Sequence, residues 1–179
     1  MSINDNGIME ALKENPQNGF RMLMAKYQES VYWHIRRLVV SHDDAQDASQ
    51  ETFVRIYRSF GNYRGDCSLR SWIYRIATNE ALRIISKRRQ DVVSIESETT
   101  GVNLIQGDDY IDFSDKVAVK LQKAILSLPP KQQLAFNMRY YDELEFDEIA
   151  KVADSTPTSI KASYHVAKEK IIKYMNSND

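Results

Sequence analysis

Residues 62–89 read NYRGDCSLRSWIYRIATNEALRIISKRR, and this stretch decides the fold class. Gly61, Asn62 and Gly65 break the chain, Ser68 is able to cap a helix, and from Leu69 onward the apolar residues recur with a helical period. With Trp72 at zero and each residue stepped by about 100 degrees, Leu69, Ile73, Ile76, Ala77 and Ile84 gather on one side, the side expected to be buried. Beside them Trp72, Arg75, Asn79, Arg83 and Ser86 make a second stripe: an aromatic plane, two guanidinium groups and an amide. From Arg64 to Arg89 the chain holds seven basic and two acidic side chains, a local excess within a chain of net charge -1. Arginines meet phosphates, aromatic faces stack on unpaired bases, and an amide hydrogen-bonds a base edge, so the stripe suits nucleic acid whose bases are exposed. Core packing of the aromatics and solvation of the arginines account for the same residues without any ligand.

Working outward, 179 residues with 42% hydrophobic content can build packed cores in one domain or two small ones. Six Gly, four Pro and no run of alternating β-branched residues indicate an all-α protein. No stretch approaches the roughly 18 to 20 uncharged apolar residues of a membrane span, and residues 1–17 lack a basic region followed by an apolar one. A cytoplasmic location is therefore expected. The single cysteine, Cys67, cannot close an internal disulfide and is too few for a structural zinc site. Charge is unevenly distributed: residues 1–90 hold 14 basic and 10 acidic side chains, residues 91–116 one and seven, and residues 117–179 nine and eight. The middle segment combines acids with turn formers, so the chain divides into a helical domain over 1–90, an acidic linker over 91–116 and a helical domain over 117–179. Apolar residues within the linker (Val92, Val93, Ile95, Leu104, Ile105, Tyr110, Ile111, Phe113) leave docking on a surface open.

In FRMLMAKYQESVYWHIRRLVV, residues Phe20, Leu23, Met24, Tyr27, Val31, Ile35, Leu38 and Val39 recur at three- and four-residue steps, the pattern of an amphipathic helix. Ser41 to Asp44 interrupts it with a cap and first-turn acids. The next helix is expected to bury Ala48, Phe53, Ile56, Tyr57 and Phe60 and to show Asp44, Asp47, Gln50 and Glu51. A solvated face that complements the helix dipole explains those acids. A metal centre lacks a second acidic cluster, and His34, His42 and His165 lie in unrelated contexts, so neither a metal nor a cofactor is expected.

Past the linker, Leu121, Ala124, Ile125 and Leu128 mark a short helix ended by Pro129-Pro130, and Leu134, Ala135, Met138 and Tyr141 mark another. A third runs from about Asp147 to Val152. Ala153-Asp154-Ser155 then turns, Thr156 caps, and Pro157 stands at the first helical position, where its missing N–H costs nothing. Two helices joined this tightly read as helix-turn-helix, whose second helix presents Thr158, Ser159, Lys161 and Ala162, then His165 and Lys168, while Ile160, Tyr164, Ala167 and Ile171 face the core. An ordinary helical hairpin is the alternative.

The motifs now have a likeness. Asp44-x-x-Asp47-x-x-Gln50-Glu51-x-Phe53, then Tyr63-Arg64-Gly65, then Trp72-Ile73-Tyr74-Arg75-Ile76-Ala77-x-Asn79 resemble domain two of the extracytoplasmic-function (ECF) sigma factors of bacterial RNA polymerase. LPPKQ at 128–132, DEIAKVA at 147–153 and SIKASYHVAK at 159–168 resemble domain four. The resemblance implies that Asp47, Gln50 and Glu51 bind the clamp of the polymerase largest subunit. It implies that Arg64, Gly65, Asp66, Cys67 and Ser68, with Asn79, hold a flipped base of the minus-10 promoter element, and that Trp72, Arg75 and Arg83 lie along the separating strands. Thr158, Ser159, Lys161, Ala162, His165 and Lys168 would meet the minus-35 element, and the same domain the flap of the second-largest subunit. An anti-sigma factor is a further partner the resemblance admits, and the linker would either occupy a positive channel of polymerase or serve as a tether. Asp154 stands where the family commonly has a turn glycine, and Ser163 and Val166 where it commonly has arginines, so domain four is expected to bind DNA weakly by itself. Two rivals make other demands. A ligand-sensing helical repressor needs an apolar pocket within residues 20–60, and a metal-dependent nuclease on Asp43, Asp44, Asp47 and Glu51 needs a second acidic or histidine motif.

Overall fold

The computed structural model describes residues 2–93 and 115–177, and every regular element among them is helical. In chain order these are α1 (Asp5–Glu14), α2 (Pro16–Val39), α3 (His42–Ser59), a 3-10 turn (Phe60–Asn62), α4 (Leu69–Val93), α5 (Lys116–Leu126), α6 (Pro130–Tyr140), α7 (Phe146–Val152) and α8 (Pro157–Met175). None of the described helices is long and apolar enough to cross a membrane. The linker is shorter at both ends than its composition indicated, because Asp91–Val93 complete α4 and Asp115 caps α5 by accepting from the Val117 and Ala118 amides. Ile95, Leu104, Ile105, Tyr110, Ile111 and Phe113 lie outside the described residues.

Periodicity assigned no element to the first fifteen residues, yet α1 forms there. Asn4 caps it through Gly7 N at 2.6 Å, and Asn15 serves at once as its C-cap and as the N-cap of α2. Two buried side chains, Ile8 and Leu12, hold it to α2, and Asp5 Oδ1 accepts from Lys26 Nζ and Tyr27 Oη, each at 2.7 Å. The corner depends on Gly19: a Cβ there would stand 2.4 Å from the Leu12 backbone nitrogen, so only glycine lets the two helices approach this closely.

α2 buries Leu23, Tyr27, Val31, Ile35, Leu38 and Val39, as its spacing indicated, and closes on Val40 at φ 69°. A β-branched residue is an outlier in that left-handed region, and its near-complete burial helps to offset the strain. Ser41 caps α3 through Asp44 N. Tyr57 of α3 departs from the sequence expectation: it is 54% exposed, meeting Phe20 edge-on at 5.2 Å. A ring one residue beyond Ile56 turns about 100 degrees from it, and only the position of the neighbouring helix decides whether that direction is covered.

α4 packs on α2, α3 and α7. Leu69, Ile73 and Ala77 are buried, Ile76 and Ile84 partly so, and Ile73 at full burial contributes roughly 2 to 3 kcal/mol of hydrophobic stabilisation. In the second half, Ile125, Leu128, Phe136, Ala167 and Ile171 make a small core of their own. α6 and α7 also join the larger core: Leu134, Met138, Leu144 and Ile149 belong to the same buried cluster as Ile35 and Ile73. The two halves of the chain are thus packed against each other through α2–α6 and α4–α7.

Candidate nucleic-acid interface

Ser68 builds the entrance to α4. Its Oγ accepts from Ser71 N at 3.1 Å, satisfying one of the free amides of the first turn. Ahead of it the loop Arg64–Ser68 turns on Gly65 at φ 79°, a conformation in which an added Cβ is strained even though the space around it is open. Tyr63 Oη donates to Cys67 O at 2.5 Å and the Tyr63 ring leans on Trp72 at 5.2 Å, so the loop is tied to the helix it precedes. Arg64, Gly65, Asp66 and Ser68 are exposed, and Cys67 is half-buried. Burial pushes the Cys67 thiol above its ordinary value, against the lowering effects of Lys151 and Arg75; such a thiol is not primed for redox chemistry.

Along α4 the expected stripe is real. Arg75, Asn79 and Arg83 are exposed, Ser86 beside them, and Trp72 is half-buried with one side against Tyr63. Beneath them lies Glu80, 4% exposed, whose carboxylate meets Arg55 Nε at 2.5 Å and Arg83 Nη1 at 3.5 Å. This buried acid ties α4 to α3 and steadies the root of the stripe. Arg88 is held by Asp44 at 2.6 Å, so that α3 acid has a structural partner.

At the second candidate surface, Thr156 Oγ1 accepts from Ser159 N at 3.2 Å and Pro157 opens α8, as its position indicated. Asp154 takes φ 51° in the turn, filling the left-handed position without glycine. Thr158, Lys161, Ala162, His165 and Lys168 are exposed, whereas Ser159 is half-buried with its Oγ 2.6 Å from Lys131 Nζ. Lys131, from the start of α6, adds a cation beside the helix tip that the α8 spacing did not show. On α3, Asp47 and Gln50 are exposed, and Glu51 pairs with Arg55 at 3.3 Å. Next to them lies an open, largely apolar groove of ≈1120 Å³ between α2 and α3, lined by Phe20, Met24, Tyr32, Phe53, Val54 and Tyr57 with Gln50 on its border. No group of three or more His, Cys, Asp or Glu able to hold a metal is found among the described residues.

The sequence matches the family models Sigma-70 region 2 over residues 23–91 and Sigma-70, region 4 over residues 118–171. The chain belongs to the sigma-70 family. Within it, this is an ECF-type sigma factor, a promoter-recognising protein of transcription initiation. The RNA polymerase sigma-H factor of Pseudomonas aeruginosa is 26% identical, with 94% of this chain and 92% of that protein aligned. The ECF RNA polymerase sigma-E factor of Escherichia coli K12 is 29% identical, with 94% and 93% aligned. Among solved structures, CnrH in complex with the cytosolic domain of CnrY matches with a TM-score of 0.72 over 98% of this chain and 99% of that one, at 14% identity. The sigma factor RpoE in complex with the anti-sigma factor NepR from Bartonella quintana matches with a TM-score of 0.70 over 89% and 98%, at 18% identity. At these identities the likeness is one of fold.

Three residues of this sigma factor escape local sequence patterns. Tyr57 has core spacing and lies exposed, Lys131 stands in the LPPKQ motif yet lies beside the distant tip of α8, and Arg70, one basic residue among the seven around α4, turns away from the stripe to donate to the Asp142 carbonyl. What decides each of them stands on another helix, out of reach of any short window.

Proposed function

We propose that this sigma factor reads the minus-10 element with the loop Arg64–Ser68 and the α4 stripe, and the minus-35 element with the first turns of α8. The observation that carries this reading is the stripe itself: Arg75, Asn79 and Arg83 exposed on one face, with Trp72 half-buried beside a glycine-turned loop. Asn79 and the loop receive the flipped base, Trp72 stacks near the edge of the bubble, and Arg75 and Arg83 follow phosphates. Capturing one unstacked base offsets the few kcal/mol its extrusion costs, so strand opening needs no catalytic group here. The chain then acts in the cytoplasm as a binding factor, and polymerase supplies the chemistry. Thr158, Ser159, Lys161, Ala162, His165 and Lys168 meet the minus-35 duplex.

Core polymerase is the protein partner. Asp47, Gln50 and Glu51 contact the largest-subunit clamp, and the adjoining groove with its exposed Tyr57 supplies the apolar part of that contact; contiguous exposed apolar surface commonly marks a protein interface. The unit from residue 117 onward meets the flap of the second-largest subunit. Both structural relatives are in complex with a second protein, which in RpoE is the anti-sigma factor NepR, and this supports an anti-sigma factor for this chain as well. The minus-10 unit ends with α4 at Val93, and the minus-35 unit opens at Asp115, the cap of α5.

Asn79→Ala tests the assignment. Run-off transcription from a cognate promoter is expected to fall about tenfold, roughly 1.4 kcal/mol of lost base contact, with core-polymerase affinity unchanged. Equal transcription by the variant, or equal discrimination at the flipped position, removes Asn79 from the base pocket.

A further inference from the structure

One buried acid lies between the surface given to DNA and the helix given to polymerase. Glu80 stands about 60 degrees around α4 from Arg83, on the side packed against α3, and is almost fully buried. Its Oε1 is 2.5 Å from Arg55 Nε, which comes from α3, and its Oε2 is 3.5 Å from Arg83 Nη1 in the stripe. A carboxylate withdrawn from water needs such partners, and here one negative charge serves two cations. Both guanidiniums still reach solvent: the Arg55 side chain is 41% exposed and that of Arg83 57%. Arg55 is not among the α3 positions Asp47, Gln50 and Glu51 that carry the polymerase motif, and its direction is set by an acid on another helix.

Two guanidiniums brought to the ends of one carboxylate leave a surplus of positive charge, and that surplus faces water. In the free chain Glu51 offsets it: its Oε1 lies 3.3 Å from Arg55 Nε, one turn away on the same helix. That pair is weak, because the Glu51 side chain is 46% exposed and a surface pair of this spacing is screened by water and salt. Glu80 is fixed beneath the arginines, whereas Glu51 is free to leave. A phosphodiester carries a full negative charge and two unbridged oxygens, so it accepts from two guanidiniums at once, which Glu51 on the flank of Arg55 does not. The stripe continues from Arg83 through Asn79 to Arg75, all exposed, and a strand that follows it passes the Arg55–Arg83 pair.

We propose that Arg55 and Arg83, held on the two oxygens of Glu80, form a seat for one backbone phosphate of the opened promoter, and that this phosphate takes the place Glu51 occupies in the free chain. The inference rests on the reading of the α4 stripe as the minus-10 surface and extends that surface onto α3. Glu80 is then a positioning residue: it touches no DNA and sets the spacing of the two groups that do. A phosphate held in this way fixes the register of the strand and carries no base preference of its own.

The test uses the full-length chain with saturating core polymerase, titrated onto a fork-junction DNA that spans the minus-10 element. A matching set of forks carries an uncharged methylphosphonate in place of one phosphate at a time, on either strand. Arg55→Ala is expected to weaken binding to the unmodified fork about fivefold and to lower the salt slope by about one, with core affinity unchanged. On one methylphosphonate fork the parent, Arg55→Ala and Arg83→Ala are expected to bind alike to within about twofold, because the shared partner is already gone. Glu80→Gln separates positioning from charge. It keeps the side-chain shape and removes a negative charge near DNA, so simple attraction gives tighter binding, whereas loss of the seat gives binding about threefold weaker. Tighter binding by Glu80→Gln overturns the seat, as does an Arg55→Ala loss that is the same on every fork. Should Glu80→Gln lose helix content, Arg55→Ala, at a half-exposed position, decides. If Asn79→Ala weakens binding and Arg55→Ala does not, this inference falls and the α4 reading stands. If neither weakens it, both fall. A loss confined to Arg55→Ala and cancelled on one fork keeps the seat and removes Asn79 from the base pocket.

Discussion

α4 and α8 are both hydroxyl-capped helices with an outward polar face, and they are supported very differently. α4 is gripped from below by a buried acid: Glu80 joins it to Arg55 of α3, while Tyr74 and Arg70 on its other side engage Asp142. α8 has an apolar base of Ile160, Ala167 and Ile171 and no comparable buried ionic tie among the described residues. The loop ahead of α4 is touched by Lys151 of α7, whereas the turn ahead of α8 is formed within its own hairpin. On the roles proposed above, a helix that holds a base in a fixed pocket gains from a rigid foundation, and one that lies in a groove and counts phosphates needs mainly its caps and its core.

The difference can be attacked at its strongest point first. Glu80→Ala leaves Arg55 and Arg83 without their shared acid and is expected to cost about 2 kcal/mol in chemical denaturation, less than the roughly 3 to 5 of a fully buried pair because both arginines retain access to water. A loss below about 0.5 kcal/mol means that α4 is not founded on this tie. Gly65→Ala forces a Cβ into a left-handed position and is expected to cost about 1 kcal/mol of stability or of minus-10 binding. An unchanged variant shows the loop relaxing freely and weakens the contrast with α8. Lys161→Ala is expected to lower binding to minus-35 duplex only a few-fold and to reduce the salt slope by about one. A large, salt-independent and base-specific loss instead makes α8 the more discriminating reader. Asp154→Gly is the smallest change: relief of left-handed strain is opposed by the greater freedom of glycine in the unfolded chain, leaving stability within about 0.5 kcal/mol of the parent.

Most of the local architecture was legible in the sequence. The 3.6-residue period placed the faces of α2 and α4, and Ser41, Ser68 and Thr156 cap helices where they were expected to. Asp154 adopts the left-handed turn its residue type permits. The short polar α1 was not legible, since a helix of ten residues is marginal alone and becomes stable only by laying Leu12 against Gly19. Tyr57 misled because periodicity reports direction around a helix and not whether a neighbour covers that direction.

By itself the sequence determined which segments after α1 are helical, and that the α4 stripe and the α8 tip carry chemistry suited to DNA, because caps, turn residues and amphipathic period act over one to four positions. Only the tertiary structure decided that Asp142 meets Arg37, 105 positions away, and that α7 rests on the loop ahead of α4. Contacts at that separation are selected by the fit of whole surfaces and by the need of a buried carboxylate for partners, neither of which leaves a mark in any short window of residues.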